Sequence, residues 1–319
     1  MASREGITLA ICTRNRHDDL ARCLRTVAAQ KPDFPLEVLI VDDGDIPRKL
    51  LEEFSDMLES PSVKFRYYKK RSPGLLNSRI ETLSEAKHDI ILFIDDDVEM
   101  ATGYLCRLSD IYAKFPDAAG IGGRDILLGT SFIWRLFCRI FLYGSGKPGK
   151  LSMSGYGGSM TTWVDMNEPF QTQYLAGCNM SFRKQALRDL QPAVWLIGYS
   201  VGEDHYLTHC ARRHGPVWID PGLTVIHHQS PLSRDKVEQV AYMDIVNHYY
   251  LLQEIGDQSW RHACLLWTAF GFLVRSLLRK KHRGKAFGYW RGIRFLLQSQ
   301  SRRFTDGNVL EHRREQGKT

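Results

Sequence analysis

Three adjacent carboxylates, Asp95-Asp96-Asp97, follow the most apolar run of the chain, Ile90-Ile91-Leu92-Phe93-Ile94. Carboxylates this close repel one another unless a cation neutralises them. Hard divalent ions take oxygen ligands, and magnesium is commonly held by one or two carboxylates together with substrate phosphates. Alternate residues of an extended segment share a side, which pairs Asp95 with Asp97. A solvated acidic turn accounts for the same residues, and the apolar strand in front of them favours a site. Asp42-Asp43-Gly44 also ends an apolar run. Its acids can bond a base or a ribose, or they can belong to a tight turn, for which Asp-Gly is a common pair. Glu203-Asp204 opens a helical stretch behind Gly202. A carboxylate there serves as N-cap, or as a general base beside a glycine-rich turn. His227-His228 closes a short apolar run. Histidine is a frequent metal ligand, but the pair also suits a plain strand-to-loop transition, and no HxxxH or HExxH spacing supports zinc. Arg79, on the helix after Pro73-Gly74, is either an exposed base or a contact for a phosphate or base edge.

These residues need elements that bring them to one place. Ile7 to Ile11, Leu36 to Val41, Val63 to Tyr68 and Ile90 to Ile94 read as strands, most of them apolar enough to be buried on both faces. Between them, helices start at Asp18-Asp19, run from Lys49 to Leu58, and run from Leu75 to Ala86 with Leu76, Ile80 and Leu83 on one face. The alternation predicts an α/β fold with a mostly parallel sheet flanked by helices. In such sheets ligands bind beyond the carboxyl ends of the strands. Thr13-Arg14-Asn15-Arg16, Asp42-Asp43 and Asp95-Asp96-Asp97 all stand at those ends and should converge. Further on, strands are expected at 118–126, 174–182, 217–219 and 224–226, and a helix at 203–214 stopped by Gly215. The glycine- and serine-rich stretch 143–160 reads as a mobile loop. From Lys236 to Arg303 the pattern is helical.

The chain has 319 residues, 43% apolar and 25% charged, which are ordinary globular proportions. The net charge of +7 favours an anionic partner. Seven cysteines without a CxxC pair argue for reduced thiols rather than a disulfide framework. No signal peptide is read at the N-terminus. The longest uncharged apolar run, Ala263 to Val274, is too short to span a bilayer.

In order and spacing, these motifs resemble the family 2 glycosyltransferases of GT-A fold. Ile11 to Arg16 resembles the family's opening strand and nucleotide loop, and Val41-Asp42-Asp43-Gly44 its second-strand motif. Gly74 to Arg79 resembles its glycine-to-arginine segment, and Ile94-Asp95-Asp96-Asp97 its DxD motif. Ala176 to Arg183 resembles its acceptor-side segment, and Gly202-Glu203-Asp204 its catalytic acid pair. The resemblance covers residues 7 to about 230. It implies a nucleotide loop at Thr13, Arg14, Asn15 and Arg16. Asp42 or Asp43 would contact the base with help from Arg79, and Asp95 would lie near the ribose, with Asp96 adding only local charge. Asp97 would hold Mn2+ or Mg2+ on the donor diphosphate, and His227 would make a second metal or phosphate contact. Asp204, beside Glu203, would be the general base of an inverting displacement. The donor would be a UDP-, GDP- or dTDP-sugar, and the acceptor a glycan or a polyprenyl-linked intermediate. Asp45 replaces the usual serine after the second-strand motif, which alters that loop's contacts. Nothing matches the Gln-Arg-Trp motif of processive synthases, so the implied reaction moves a single sugar.

Residues 1–230 are thus expected to form the catalytic domain, with 1–100 on the nucleotide side and 101–230 on the acceptor side. Residues 231–319 form a basic, aromatic-rich helical extension. Trp260, Trp267, Phe270, Phe287 and Trp290 among lysines and arginines suit an anionic membrane surface along 260–303. A helical subdomain or a homodimer contact accounts for the same pattern. The expected location is cytoplasmic and peripheral, on the inner membrane face. Two other functions fit the sequence less well than a glycosyltransferase. A sugar-nucleotidyltransferase wants a glycine-rich, lysine-bearing phosphate loop after the first strand, and Thr13-Arg14-Asn15-Arg16 has neither. A nucleic-acid binder wants stacking aromatics on a basic surface, whereas these acids repel phosphate unless a metal is bound. No nucleic-acid partner is expected.

Overall fold

A computed structural model describes residues 4–71, 74–128, 131–158, 165–196, 200–230, 236–256 and 259–299. The described residues within 1–129, 165–192 and 207–232 form one compact unit. Those within 130–164, 193–206 and 233–319 form a second.

The first unit is built on a nine-stranded sheet. Its strands are β1 (Ile7–Thr13), β2 (Leu36–Asp42), β3 (Val63–Lys69), β4 (Ile90–Asp95), β5 (Val98–Met100), β6 (Gly120–Asp125), β7 (Phe170–Gln171), β8 (Asn179–Arg183) and β9 (Val217–His227). The order is β3-β2-β1-β4-β8-β6-β9-β5, with β7 also on β9. β1, β2, β3, β4, β6 and β9 run one way; β5, β7 and β8 run against them. The helices of this unit are α1 (His17–Ala28), α2 (Arg48–Leu58), α3 (Leu75–Glu85) and α4 (Tyr104–Lys114). All seven residues of β2 are buried, as are all but Cys12 in β1. Their alternate side chains, Ile7, Leu9, Ile11, Val38 and Ile40, share a core with Leu20, Leu24 and Val27 of α1 and with Leu105 and Leu108 of α4. Each such side chain contributes about 1.5–3 kcal/mol by leaving water.

The registers set the site. Thr13 pairs with Asp42 and Cys12 with Asp95, so the carboxyl ends of β2, β1 and β4 lie nearly level. β1 stands between β2 and β4, where the strand order reverses and a crevice opens in sheets of this type.

Several elements depart from the sequence expectation. The strands expected at 217–219 and 224–226 are one strand, β9, which crosses Asp220-Pro221-Gly222 with a register shift against β6. Asp220 is tied there to Arg107 of α4 at 2.6 Å. A side chain on Gly222 would collide with that guanidinium. The strand expected at 174–182 is reduced to β8, because Thr172 folds onto Tyr174 through local hydrogen bonds and the chain turns before Asn179. α4, β5 and β7 add to what periodicity suggested.

The second unit contains α5 (Phe132–Ile140), α7 (Val237–Gly256), α8 (Ser259–Leu278) and α9 (Ala286–Ser299), and the first residues of α6 (Glu203–Arg212). α7 is its buried core, from Ala241 to Leu252. Gly288 and Gly292 of α9 let the two helices close up. A methyl on Gly288 would lie 2.1 Å from the Glu238 carbonyl oxygen, and one on Gly292 would lie 2.8 Å from Ile245. The described part of the expected mobile loop, 143–158, is irregular but tied down. Ser152, Ser154 and Tyr156 are buried, Ser154 bonds the Leu142 carbonyl, and Tyr156 stacks on His248 at 3.6 Å between ring centres. No described helix is long and apolar enough to cross a membrane.

Candidate active site

β4 ends at Asp95, and Asp96 and Asp97 turn the chain directly into β5. That turn sends alternate carboxylates to different partners. Asp96 is fully buried, accepts a hydrogen bond from Thr13 Oγ1 at 2.7 Å, and pairs with Arg16 at 2.6 Å. Burial pushes its carboxyl up to about 7, against the pull of Arg16 and Thr13. Asp97 is also buried. Its Oδ1 lies 3.2 Å from His227 Nε2, and its Oδ2 accepts from the Ser230 amide at 2.8 Å with Arg16 at 3.4 Å. Burial alone would raise the Asp97 pKa, but His227, the Ser230 amide and Arg16 outweigh it and hold it far below the ordinary carboxylate range. Asp95 is the most open of the three, 3.6 Å from Arg79 and 3.8 Å from His227.

His227 arrives through β-pairing. Val98 of β5 lies opposite His227 of the antiparallel β9, which sets the imidazole beside Asp97. His228 points elsewhere, its Nε2 2.8 Å from Glu99. Asp95, Asp97 and His227 each offer one ligand atom, all within 4.8 Å of one another. Two carboxylates and an imidazole fit a divalent ion such as Mn2+, which accepts oxygen and nitrogen donors.

The loops beyond β1 and β2 meet beside this cluster. The Asn15 backbone is left-handed, at φ 54°, and its side-chain oxygen accepts from the Asp45 amide at 3.0 Å. A side chain on Gly44 would strike Asn15, so glycine permits the approach. Asp42 is fully buried and saturated: it accepts from the Gly44 amide at 2.6 Å, Tyr67 hydroxyl at 2.9 Å and Lys69 at 3.4 Å. Asp43 is the partly open member, paired with Lys70 at 3.3 Å. The Lys70 ammonium is buried and also bonds the Gly74 carbonyl and Ser78. Arg14 is exposed. Arg79 is not the exposed base that its residue type also allowed. It is 2% exposed, donates to the Gly177 carbonyl at 3.1 Å, and lies over the Phe93 ring. Its place is behind Asp95.

Sequence reasoning did not single out Lys70, Ser230 or Asp125. Asp125 is buried at the carboxyl end of β6 and accepts from the His227 and Leu127 amides. Lys70 and Asp125 do share a signal with the residues found, since each stands at a strand's carboxyl end. Ser230 acts through its backbone and leaves no trace in residue type.

Glu203 and Asp204 belong to the second unit. They open α6 behind Gly202, which takes φ 92°. Asp204 Oδ1 accepts from the His205 amide at 2.8 Å and lies 3.0 Å from His205 Nδ1. Burial opposes a charge on His205, but Asp204, Glu203 and Asp244 outweigh it and raise the imidazole's pKa.

Comparison with known proteins bears on this arrangement. A glucosyl-dolichyl phosphate glucuronosyltransferase of Haloferax volcanii is 26% identical over 121 residues, covering 37% of this chain and 37% of that protein. The chain thus matches little more than a third of that relative's length. A mannosyltransferase from Pyrobaculum calidifontis, solved with GDP-Man and Mn2+, superposes with a TM-score of 0.56 at 14% identity, over 94% of this chain and 87% of that one. The likeness is one of fold, and the fold is GT-A. The sequence profile of glycosyl transferase family 2 matches residues 8–190. That span holds Thr13 to Arg16, Asp42, Asp43, Arg79 and the whole acidic triplet and covers more than half of the chain, and the chain belongs to that family.

Proposed function

We propose that the protein is an inverting glycosyltransferase that moves one sugar from a nucleotide-sugar donor to an acceptor hydroxyl with the help of a divalent ion. The observation that carries this reading is the convergence of Asp95, Asp97 and His227 at the carboxyl end of the sheet. Those three residues would hold Mn2+ or Mg2+, which when bound supplies Lewis-acid stabilisation of charge on a leaving diphosphate. The loop Thr13 to Arg16 and the half-open Asp43 would line the nucleotide. Asp42 and Arg79 would position Asp43 and Asp95 from behind. In the transfer, the bond from the anomeric carbon to the diphosphate oxygen breaks as the acceptor oxygen bonds to that carbon. The hydroxyl proton passes to Asp204, and Glu203 shares its helix turn.

The Haloferax relative, named for a glucosyl-dolichyl phosphate acceptor, supports a lipid-linked acceptor over a free glycan. Such an acceptor would bring the enzyme to the cytoplasmic face of a membrane. The GDP-Man of the Pyrobaculum structure makes GDP-sugars the first donors to try, ahead of UDP- and dTDP-sugars.

The test is release of nucleoside diphosphate from a panel of sugar nucleotides with Mn2+ or Mg2+. Metal-dependent release from one donor is expected. Asp97→Ala should lower it about 10²–10³-fold, as loss of an electrostatic stabiliser does. Asp204→Asn should lower acceptor-dependent turnover about 10²–10⁴-fold, the contribution of a general base. Release from no donor, or full rates in both variants, would sink the mechanism.

A further inference from the structure

The second unit carries an apolar surface that its own packing leaves open. On α8, Trp260, Ala263, Trp267, Phe270, Val274 and Leu277 recur at spacings of three and four, which is one face of a helix. Within that stripe Trp260, Trp267, Phe270 and Leu277 are 44% to 57% exposed. On α5, Phe132, Ile133, Leu136 and Ile140 are 45% to 73% exposed. The two helices are joined where these faces meet. Trp267 donates its indole N–H to the Ile140 carbonyl at 2.8 Å and packs on Phe141. Trp267 and Phe270 stack on each other at 5.6 Å, so the exposed aromatics form one continuous patch.

The two segments that carry this patch have charges of a single sign. Residues 259–299 contain nine lysines and arginines and no aspartate or glutamate. Residues 131–158 contain Arg135, Arg139, Lys147 and Lys150, again with no acid. Arg135, Arg139, Arg279, Lys280 and Lys281 are exposed. Arg275 lies 4.4 Å over the Trp134 ring and so joins α8 to α5 with its charge kept near the apolar face.

We infer that the α5–α8 face docks on an anionic lipid surface, with Ile133, Leu136, Trp267 and Phe270 entering the headgroup boundary and the arginines meeting lipid phosphates. The inference takes its purpose from the lipid-linked acceptor proposed above, but the surface itself does not depend on it. Tryptophan and phenylalanine with a basic border suit a helix lying in the interface plane. Arg261 and Arg275 bound the apolar core of α8, and the helix is not apolar enough to cross. A second copy of the chain is the weaker occupant. Two-fold pairing sets the same patch against itself, which would oppose arginine to arginine with no acid on α5 or α8 to receive it.

The test is co-sedimentation of the full chain with phosphatidylcholine vesicles, and with vesicles that also contain phosphatidylglycerol. Binding to the anionic vesicles is expected, with at least about tenfold weaker binding to the neutral ones and weakening in high salt. Ile133→Glu with Leu136→Glu should lower anionic binding about tenfold or more. Arg135→Glu with Arg139→Glu should remove most of the preference for anionic lipid. Brominated lipid should quench part of the tryptophan fluorescence, and Trp267→Phe should reduce that quenching. Nucleoside diphosphate release in the absence of lipid should be unchanged in these variants, which separates failure of docking from failure of the enzymatic reading. No vesicle binding by the unaltered chain, or binding that the glutamates leave unchanged, overturns the inference. So does a dimer seen by light scattering that the same glutamates dissociate while vesicle binding stays absent.

Discussion

The acids of the triplet share their partners: Arg79 lies beside Asp95, Arg16 beside both Asp96 and Asp97, and the His227 imidazole beside both Asp95 and Asp97. Two arginines therefore already offset part of the repulsion that pointed to a metal from the sequence. The stronger argument for an ion is that two carboxylates and an imidazole offer ligand atoms within 4.8 Å. Residue type was legible in the sequence; which partner each side would meet was not. Asp42 and Asp43 look alike as neighbours, yet Asp42 is saturated by Gly44, Tyr67 and Lys69, whereas Asp43 is partly open. They should respond differently to loss of charge. Asp42→Asn turns an acceptor into a donor among donors and should cost about 1–3 kcal/mol in urea unfolding. Asp43→Asn should cost less and instead raise the KM for the donor. An unchanged KM in Asp43→Asn, with equal destabilisation of both variants, would remove Asp43 from the site.

Pairing and register decided what periodicity could not. β1, β2 and β4 announce themselves as apolar runs, so the carboxyl edge was legible. β5 has three residues, too few to show a period, yet its pairing with β9 chooses His227 over His228. β9 was hidden because Pro221 and Gly222 interrupt it. The opposite end of the sheet holds a group that the apolar reading of β2 passed over. Glu37 is buried, and its carboxylate takes Arg66 at 2.6 Å, Thr8 at 2.7 Å and the Lys87 amide at 2.9 Å. Burial works to raise its pKa, but these partners prevail and lower it. A carboxyl depressed on folding stabilises fully above its unfolded pKa of about 4.3 and loses that contribution as pH falls toward the folded value. Arg66→Met leaves the charge buried with its neutral partners. It should cost about 2 kcal/mol near neutral pH, below the ~3–5 kcal/mol of a fully buried pair because Arg66 is partly exposed. The gap between the two proteins in urea unfolding should narrow at about pH 4, where Glu37 can take up a proton. A gap independent of pH would show that Arg66 acts through packing alone.

The described residues divide into two units, and the family match at 8–190 lies mostly in the first. The aromatic, basic character of 259–299 was legible, because composition alone carries it. The part played by α5 was not, since it lies more than a hundred residues earlier and joins α8 only through tertiary contacts. The second unit therefore cannot be removed by a single cut. A chain ended at residue 232 would keep Tyr156 but lose His248, on which Tyr156 stacks, and α7, the core of that unit. Such a truncation should aggregate, or bind hydrophobic dye in its soluble fraction. A soluble product with cooperative urea unfolding would show that 131–158 needs no such partner.

The same discontinuity has a consequence in time. Tyr156 finds Asp244 88 residues further along the chain. At roughly 5–20 residues per second, a ribosome takes about 4–18 seconds to cover that distance. Through that interval Tyr156 has left the exit tunnel without its α7 partners, and Phe137 and Phe141 wait longer still for Phe272 and Trp267 of α8. Until its last helices emerge, the nascent chain holds these aromatic side chains without the neighbours that bury them in the fold.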